Sequence, residues 1–275
     1  MKDQTVIITG SSDGIGAVAA RVLKGRGANV VIVGRSPEKT KRVAEALKVP
    51  YYVTDFAKLD EVRQLASDIK RAYPRIDVLI NNAGGIFGDR ELTVDGFEKT
   101  LQVNYLAPYL LTNLLMDTLI KSKAKVLNTS SIANKVFSDL DINDLNMANN
   151  YTMHKAYGNS KLENILFTKE LNIRYGSAGL AAVCFHPGNI ATNFASSSKG
   201  FIKFLYHGPF KKLFGLITPE KGADNMIWLA TSEPGKDWTP GEYYIKHKIG
   251  KAIDKAYDTE LARKLWNQSA TMVGI

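Results

Sequence analysis

The sequence predicts an α/β fold: a doubly wound parallel sheet of about seven strands in a single domain. Three observations carry that expectation. Short β-rich runs alternate with helical patterns along the chain. The strand runs are apolar throughout rather than alternating, as in parallel strands covered on both faces. The first run opens directly into a glycine-rich turn, Thr9-Gly10-Ser11-Ser12-Asp13-Gly14-Ile15-Gly16, that leads into a helix. Strand and helix in strict alternation wind helices onto both sides of one sheet.

The elements follow in order. Val6-Ile7-Ile8-Thr9 reads as the first strand, and Ile15, Val18, Ala19, Val22 and Leu23 then fall on one helix face. Val30-Val31-Ile32-Val33 is the second strand. Ser36-Pro37-Glu38 starts the next helix, with Ser36 as cap and proline at the first position. Further strands are Tyr51-Tyr52-Val53, Val78-Leu79-Ile80, Val126-Leu127-Asn128, Ala181 to Phe185, and Glu242-Tyr243-Tyr244-Ile245, with helices in the intervals. The chain shows no internal repeat, low-complexity tract or Pro/Gly-rich linker, which fits one domain over residues 1–275.

Composition narrows the function classes. No apolar run approaches the ~20 residues of a membrane span, and no secretory leader is evident after Met1. The lone cysteine, Cys184, excludes an intrachain disulfide and fits a reducing compartment. A cytoplasmic location is expected, with a peripheral membrane position left open. The net charge is +9, but the lysines and arginines are scattered and no nucleic-acid module is present, so nucleic acid is not an expected partner. His154, His186, His207 and His247 lack ligand spacing, so no metal site is expected.

The glycine turn sits where a dinucleotide site needs it. Its backbone can approach a pyrophosphate, whose charge meets the N–H groups of the helix start. The spacing Gly10-x-x-x-Gly14-x-Gly16 after Thr9 resembles the fingerprint of the short-chain dehydrogenase/reductase family, and further landmarks follow over nearly the whole chain. These are Asn81-Asn82-Ala83-Gly84, Asn104, the pair Ser130-Ser131, Tyr157-Gly158-Asn159-Ser160-Lys161, and Pro187-Gly188. Tyr-x-x-x-Lys occurs three times, at Tyr151/Lys155, Tyr157/Lys161 and Tyr244/Lys248. Only the second has Ser160 before the lysine and the apolar run Leu162 to Phe167 after it; Tyr151/Lys155 is its competitor. From Ser131 to Tyr157 is 26 positions, a long interval. Asp144-Leu145-Asn146 within it, His186-Pro187-Gly188, and the late Leu261 to Trp266 resemble the retinol-dehydrogenase-like branch.

The resemblance implies a Rossmann-type sheet and an oxidoreductase interconverting a small-molecule carbonyl and an alcohol. Reduction of a carbonyl leaves an alkoxide that must be protonated as it forms. Tyr157 suits that task if its pKa falls from ~10 towards neutrality, and Lys161, one helical turn away, supplies the charge that favours the phenolate. By resemblance Lys161 also binds the nicotinamide ribose, Ser131 (rather than Ser130) bonds the substrate oxygen, and Asn104 helps hold a proton-relaying water. The implied dinucleotide contacts are Gly10, Ser12, Asp13, Gly14, Ile15, Gly16, Asn82, Ala83, Gly84, Tyr157, Lys161, Pro187, Gly188, Ile190 and Thr192, Thr192 serving the carboxamide or simply a turn. Asp55 is either the adenine contact or the cap of the helix containing Leu59.

Arginine stands where an NAD site would carry an acid: the second strand ends Val33-Gly34-Arg35-Ser36. A guanidinium clasps a 2′-phosphate through two hydrogen bonds, so NADP(H) is the expected cofactor; Ser36 either adds a bond or only caps its helix. Residues of about 193–218 leave the regular alternation and place Phe210, Leu213, Phe214 and Ile217 on one face beside Lys199, Lys203, Lys211 and Lys212. By resemblance this is a substrate lid, its apolar face favouring a lipid-like aldehyde or ketone, and a basic amphipathic segment also suits a membrane surface. Two competing readings keep the fold without this chemistry: a non-catalytic NADP(H)-binding sensor or scaffold, and a peripheral membrane or structural protein. Homo-oligomerisation is left open.

Overall fold

The computed structural model describes residues 1–188 and 217–275. Among them, eight strands build one sheet: β1 (Thr5–Thr9), β2 (Asn29–Gly34), β3 (Tyr51–Val53), β4 (Val78–Asn81), β5 (Lys125–Thr129), β6 (Ala181–His186), β7 (Tyr243–Ile245) and β8 (Lys248–Ile249). Their spatial order is β3-β2-β1-β4-β5-β6-β7-β8. All neighbours run parallel except β7 and β8, which form an antiparallel hairpin. The anticipated strands are all present. The eighth was not anticipated because two residues, Lys248 and Ile249, are too few to show a period. Its turn is made by Lys246 and His247 at φ +49° and +61°, the left-handed pair that matches the twist of a two-residue hairpin.

The strands are apolar on both sides because both sides are covered. Along β1, Val6 and Ile8 join one core with Val30, Ile32, Val78, Ile80 and Val183, while Ile7 joins the opposite core with Val31, Leu79 and Val126. The first face is covered by α1 (Gly14–Gly25) and α9 (Pro219–Thr231), which pack on each other. The second is covered by α3 (Leu59–Ala72), α5 (Ala107–Leu114), α6 (Met116–Lys121), α8 (Met153–Tyr175) and α10 (Thr259–Val273). There Trp266 of α10 packs against Tyr109, Phe167 and Tyr175, which locks the C-terminal helix onto α5 and α8. The helix α2 (Pro37–Leu47) starts as its sequence signals: Ser36 Oγ accepts from Lys39 N at 3.3 Å, and Pro37 is the first residue.

The strand order reverses between β1 and β4, since β2 and β3 extend to one side and β5 to β8 to the other. In such sheets the crevice beyond the carboxyl ends at the reversal is where ligands bind. The glycine turn after β1 and the segment after β4 flank it. No helix among the described residues is long and apolar enough to cross a membrane.

Candidate active site

The glycine turn is held open from behind. Thr9 Oγ1 accepts from Asn82 N and Ala83 N, each at 3.0 Å, and donates to Ile80 O. Asn82 Nδ2 donates to Thr9 O at 3.0 Å and Gly10 O at 3.2 Å. Gly10 has φ +66°, and a Cβ there would stand 2.7 Å from Ala83 Cα. Only glycine fits, by conformation and by space. Asp13 caps α1, accepting from Gly14 N at 2.8 Å, and pairs with Lys39 at 3.2 Å. Gly14, Ile15 and Gly16 form the first turn of α1, with Ser12 just before the cap.

On the same side, Arg35 emerges exposed at the end of β2 and makes no ion pair among the described residues. Ser36 Oγ serves as the α2 cap and donates to Glu38 at 3.1 Å. Asp55 does not cap α3. Its carboxylate accepts from Ala57 N, whereas Asp95 accepts from Leu59 N at 2.9 Å, so the cap comes from a distant loop that local reading could not reveal.

Across the crevice, Asn104 lies in a π-helical turn, Gln102–Leu106, between the short helix α4 (Lys99–Leu101) and α5. Its amide is fully used: Oδ1 accepts from Gly85 N at 2.9 Å, and Nδ2 donates to Gly85 O and to Ser160 Oγ. Its own carbonyl accepts from Asn164 Nδ2 at 3.0 Å. This ladder ties the segment after β4 to α8. Lys161 is 3% exposed, donates to Thr129 O at 3.1 Å, and places its Nζ 5.3 Å from the centre of the Tyr157 ring. Burial pulls its pKa down to about 8.

The two serines after β5 have separate environments. Ser130 is buried and its Oγ donates to Lys161 O at 2.7 Å, a purely internal bond. Ser131 is partly exposed; its Oγ accepts from Ala133 N at 3.2 Å, which leaves its hydrogen to donate elsewhere. The following helix, α7 (Ala133–Val136), packs on α8 at Gly158, where a Cβ would lie 2.7 Å from Phe137 C and Ser138 N. That close approach seats α7 and the residues just after it against the residue following Tyr157. Pro187 and Gly188 follow β6, while Ile190, Thr192 and most of the anticipated lid lie outside the described residues.

The rival pairs are occupied otherwise. Tyr151 precedes α8 and its hydroxyl donates to Gly88 O at 3.0 Å; burial raises its pKa to about 12. Lys155 pairs with Asp139 at 3.1 Å. Tyr244 Oη accepts from Thr239 N, and Lys248 is exposed on the hairpin.

Comparison with known proteins shows the family. The family model described as short chain dehydrogenase matches residues 4–201. The chain belongs to the short-chain dehydrogenase family. A protein of Streptomyces sp. (strain C5), named as a candidate daunorubicin C-13 ketoreductase, is 38% identical over 98% of this chain and 93% of its own length. Human retinol dehydrogenase 13 is 35% identical over 99% of this chain and 85% of its own. The likeness to retinol dehydrogenases places the chain in that branch of the family. A solved structure of an uncharacterized Mycobacterium paratuberculosis protein is 30% identical, with TM-score 0.80, over 99% of this chain and 94% of that one. A Shigella flexneri short chain dehydrogenase complexed with NADP is 26% identical, with TM-score 0.63, over 84% and 92%. Family membership makes this an oxidoreductase working between carbonyl and alcohol.

The long interval between Ser131 and Tyr157 is bonded within itself and to its surroundings. Asp144 accepts from Ala148 N and Asn149 N, bonds that hold its pKa below the usual carboxylate range. Arg90 donates to Met147 O and Asn146 O, and Asn159 of α8 accepts from Asp139 N. Beside Ser131, an apolar rim reaches solvent: Ile132 is 45% exposed, Val136 61% and Phe137 43%. The sequence uses Ser160 only as a flank marking the Tyr157/Lys161 pair, and gives no role to Asn164 or the Thr129 carbonyl. Ser160 and Asn164 carry a signal in hindsight, since both lie within one turn of Lys161 on the same helix.

Proposed function

We propose that this chain is an NADP(H)-dependent oxidoreductase that interconverts an apolar aldehyde or ketone and its alcohol, with Tyr157 as general acid/base. The observation that carries the reading is a phenol ring held 5.3 Å from the buried ammonium of Lys161, one turn along the same helix. The glycine turn fits a dinucleotide: at Gly10 backbone is bare, and the start of α1 offers N–H groups to a pyrophosphate. When bound, the nicotinamide supplies hydride in the reductive direction and accepts it in the oxidative one.

The chain's own residues manage the proton and the oxygen. Tyr157 hydroxyl gives its proton to the carbonyl oxygen as negative charge gathers there, and takes it back from an alcohol. The Lys161 ammonium favours the phenolate by its charge. With a pKa of about 8 it is mostly protonated at neutral pH, and that support fades above about pH 8. Ser131 donates its free hydrogen to the same oxygen and orients it. The main-chain carbonyl of Asn104, which accepts from Asn164, is the acceptor this reading gives to the relay water.

Arg35 supports NADP over NAD, being exposed at the end of β2 where it can clasp a 2′-phosphate. Gly14, Ile15, Gly16, Asn82, Ala83, Gly84, Pro187 and Gly188 complete the dinucleotide contacts of this reading, with Ile190 and Thr192 beyond the described residues. The rim of Ile132, Val136 and Phe137 beside Ser131 favours an apolar substrate, and a relative named for retinol points the same way. The buried, lone Cys184 fits a cytoplasmic setting.

The test follows NADPH and NADH oxidation with aldehydes and ketones of rising chain length. The proposal expects turnover that improves with apolar length, and an NADPH preference that Arg35→Ala cuts roughly tenfold or more. Tight NADPH binding with no turnover on any carbonyl would instead leave a sensor.

A further inference from the structure

We propose that Asn134 is a positioning residue that fixes the orientation of Ser131, the serine to which the preceding reading gives the substrate oxygen. Ser131 sits on the turn between β5 and α7, and the carbonyl of that serine receives two bonds from one residue. Asn134 donates to Ser131 O from its backbone N–H at 3.1 Å and from its side-chain Nδ2 at 2.5 Å. The first bond is what any tight turn would make. The second clamps the same peptide from the side chain.

Asn134 is itself anchored far away in sequence. It is fully buried, and its Oδ1 accepts from Ile253 N at 3.2 Å, across 119 residues. Ile253 is steadied in turn, as the cap of a 3-10 turn (Asp254–Tyr257) whose Tyr257 hydroxyl accepts from Ala252 N at 3.1 Å. Ser131 Oγ is already held as an acceptor by Ala133 N. Its hydrogen is therefore aimed by how the turn is tilted, and Asn134 sets that tilt. An asparagine whose only duty was to fill the core would need no donor on the serine's carbonyl; a leucine would fill the same space.

A double-mutant cycle tests this, because a residue acting through Ser131 has nothing left to act on once the hydroxyl is gone. Asn134→Leu should lower kcat roughly tenfold or more in the wild-type background, leave NADPH affinity within about twofold, and cost less than about twofold further in a Ser131→Ala background. Equal losses in both backgrounds, or none in the wild type, would overturn the proposal. Should Asn134→Leu not fold, the Ile253 pair decides. Ile253 already has φ −65°, the value proline enforces, so Ile253→Pro removes the N–H that Asn134 accepts while Ile253→Ala keeps it. The proline variant should show a kcat about threefold or more below the alanine variant, and only when Ser131 is present; equal kcat values reject the anchor. If Ser131→Ala alone has no effect, the serine's catalytic role fails and this inference with it, whereas the tyrosine reading is judged separately by Tyr157→Phe.

Discussion

At the β1 end of the crevice, polar groups are bonded to one another. Thr9, Asn82 and Asp13 bond backbone groups of the glycine turn and its flanks, and the carboxylate of Asp13 has Lys39 for a partner. Towards β5 and β6 the bonding is extensive but incomplete. Lys161 is buried with its pKa pulled down, Glu163 two residues on is buried with its pKa pushed well up, and Thr129 Oγ1, Glu163 Oε2 and His186 Nδ1 are buried with no hydrogen-bond partner. Binding a dinucleotide asks for a preformed backbone shape, which is compatible with stability. Moving a proton asks for groups held away from their comfortable protonation states, and that opposes stability.

The contrast can be broken by substitutions at each end. The largest effect is expected at Gly10. Gly10→Ala forces a Cβ to within 2.7 Å of Ala83 Cα at a positive φ, so both stability, by about 2 kcal/mol or more, and dinucleotide binding should fall together, as chemical denaturation and fluorescence titration would show. Lys161→Met should separate the two quantities: activity falls about a hundredfold or more, yet stability at pH 7 rises by roughly 1–2 kcal/mol, because a buried charge is exchanged for an apolar chain of similar length. A loss of stability in that variant would show that Lys161 is structurally satisfied and the contrast false.

The smallest expected effect is at Glu163. Its carboxyl binds its proton more tightly folded than unfolded, so the folded state holds more protons above the ordinary carboxylate pKa, and stability falls as pH rises from about 4.5 towards the folded value. Glu163→Gln should flatten that part of the stability–pH curve and stabilise the protein by about 1 kcal/mol near neutral pH. The curve for Lys161 slopes the other way. Its folded pKa of about 8 lies below the usual 10.5, so its burial penalty is relieved as pH climbs through that interval, and Lys161→Met should remove this rise.

Legibility in the sequence divides along the same line. The strands and the glycine turn were readable because local rules fix them: apolar runs such as Val30 to Val33 specify buried strands, and Gly10 marks a backbone position that no other residue tolerates. Ser36-Pro37 likewise declared its helix start. What was not readable depends on contacts distant in sequence. Asp95, rather than Asp55, caps α3 from 36 residues away, and the amide of Asn134 reaches Ile253. The proposed choice of Tyr157 over Tyr151 rests on flanking residues, and the geometry supports it: the Tyr151 hydroxyl donates to Gly88 O, whereas Tyr157 shares a helical turn with a buried ammonium. The hairpin strand β8 was too short to carry a pattern.

The claim on which the proposed chemistry turns is that the phenol of Tyr157, and not that of Tyr151, exchanges the proton. The direct measurement is the initial rate of NADPH oxidation with a reducible aldehyde, for Tyr157→Phe and Tyr151→Phe side by side, together with NADPH affinity. The account predicts that Tyr157→Phe loses on the order of a thousandfold in kcat with affinity nearly unchanged, while Tyr151→Phe keeps most of its rate. A working Tyr157→Phe beside an inactive Tyr151→Phe would contradict it.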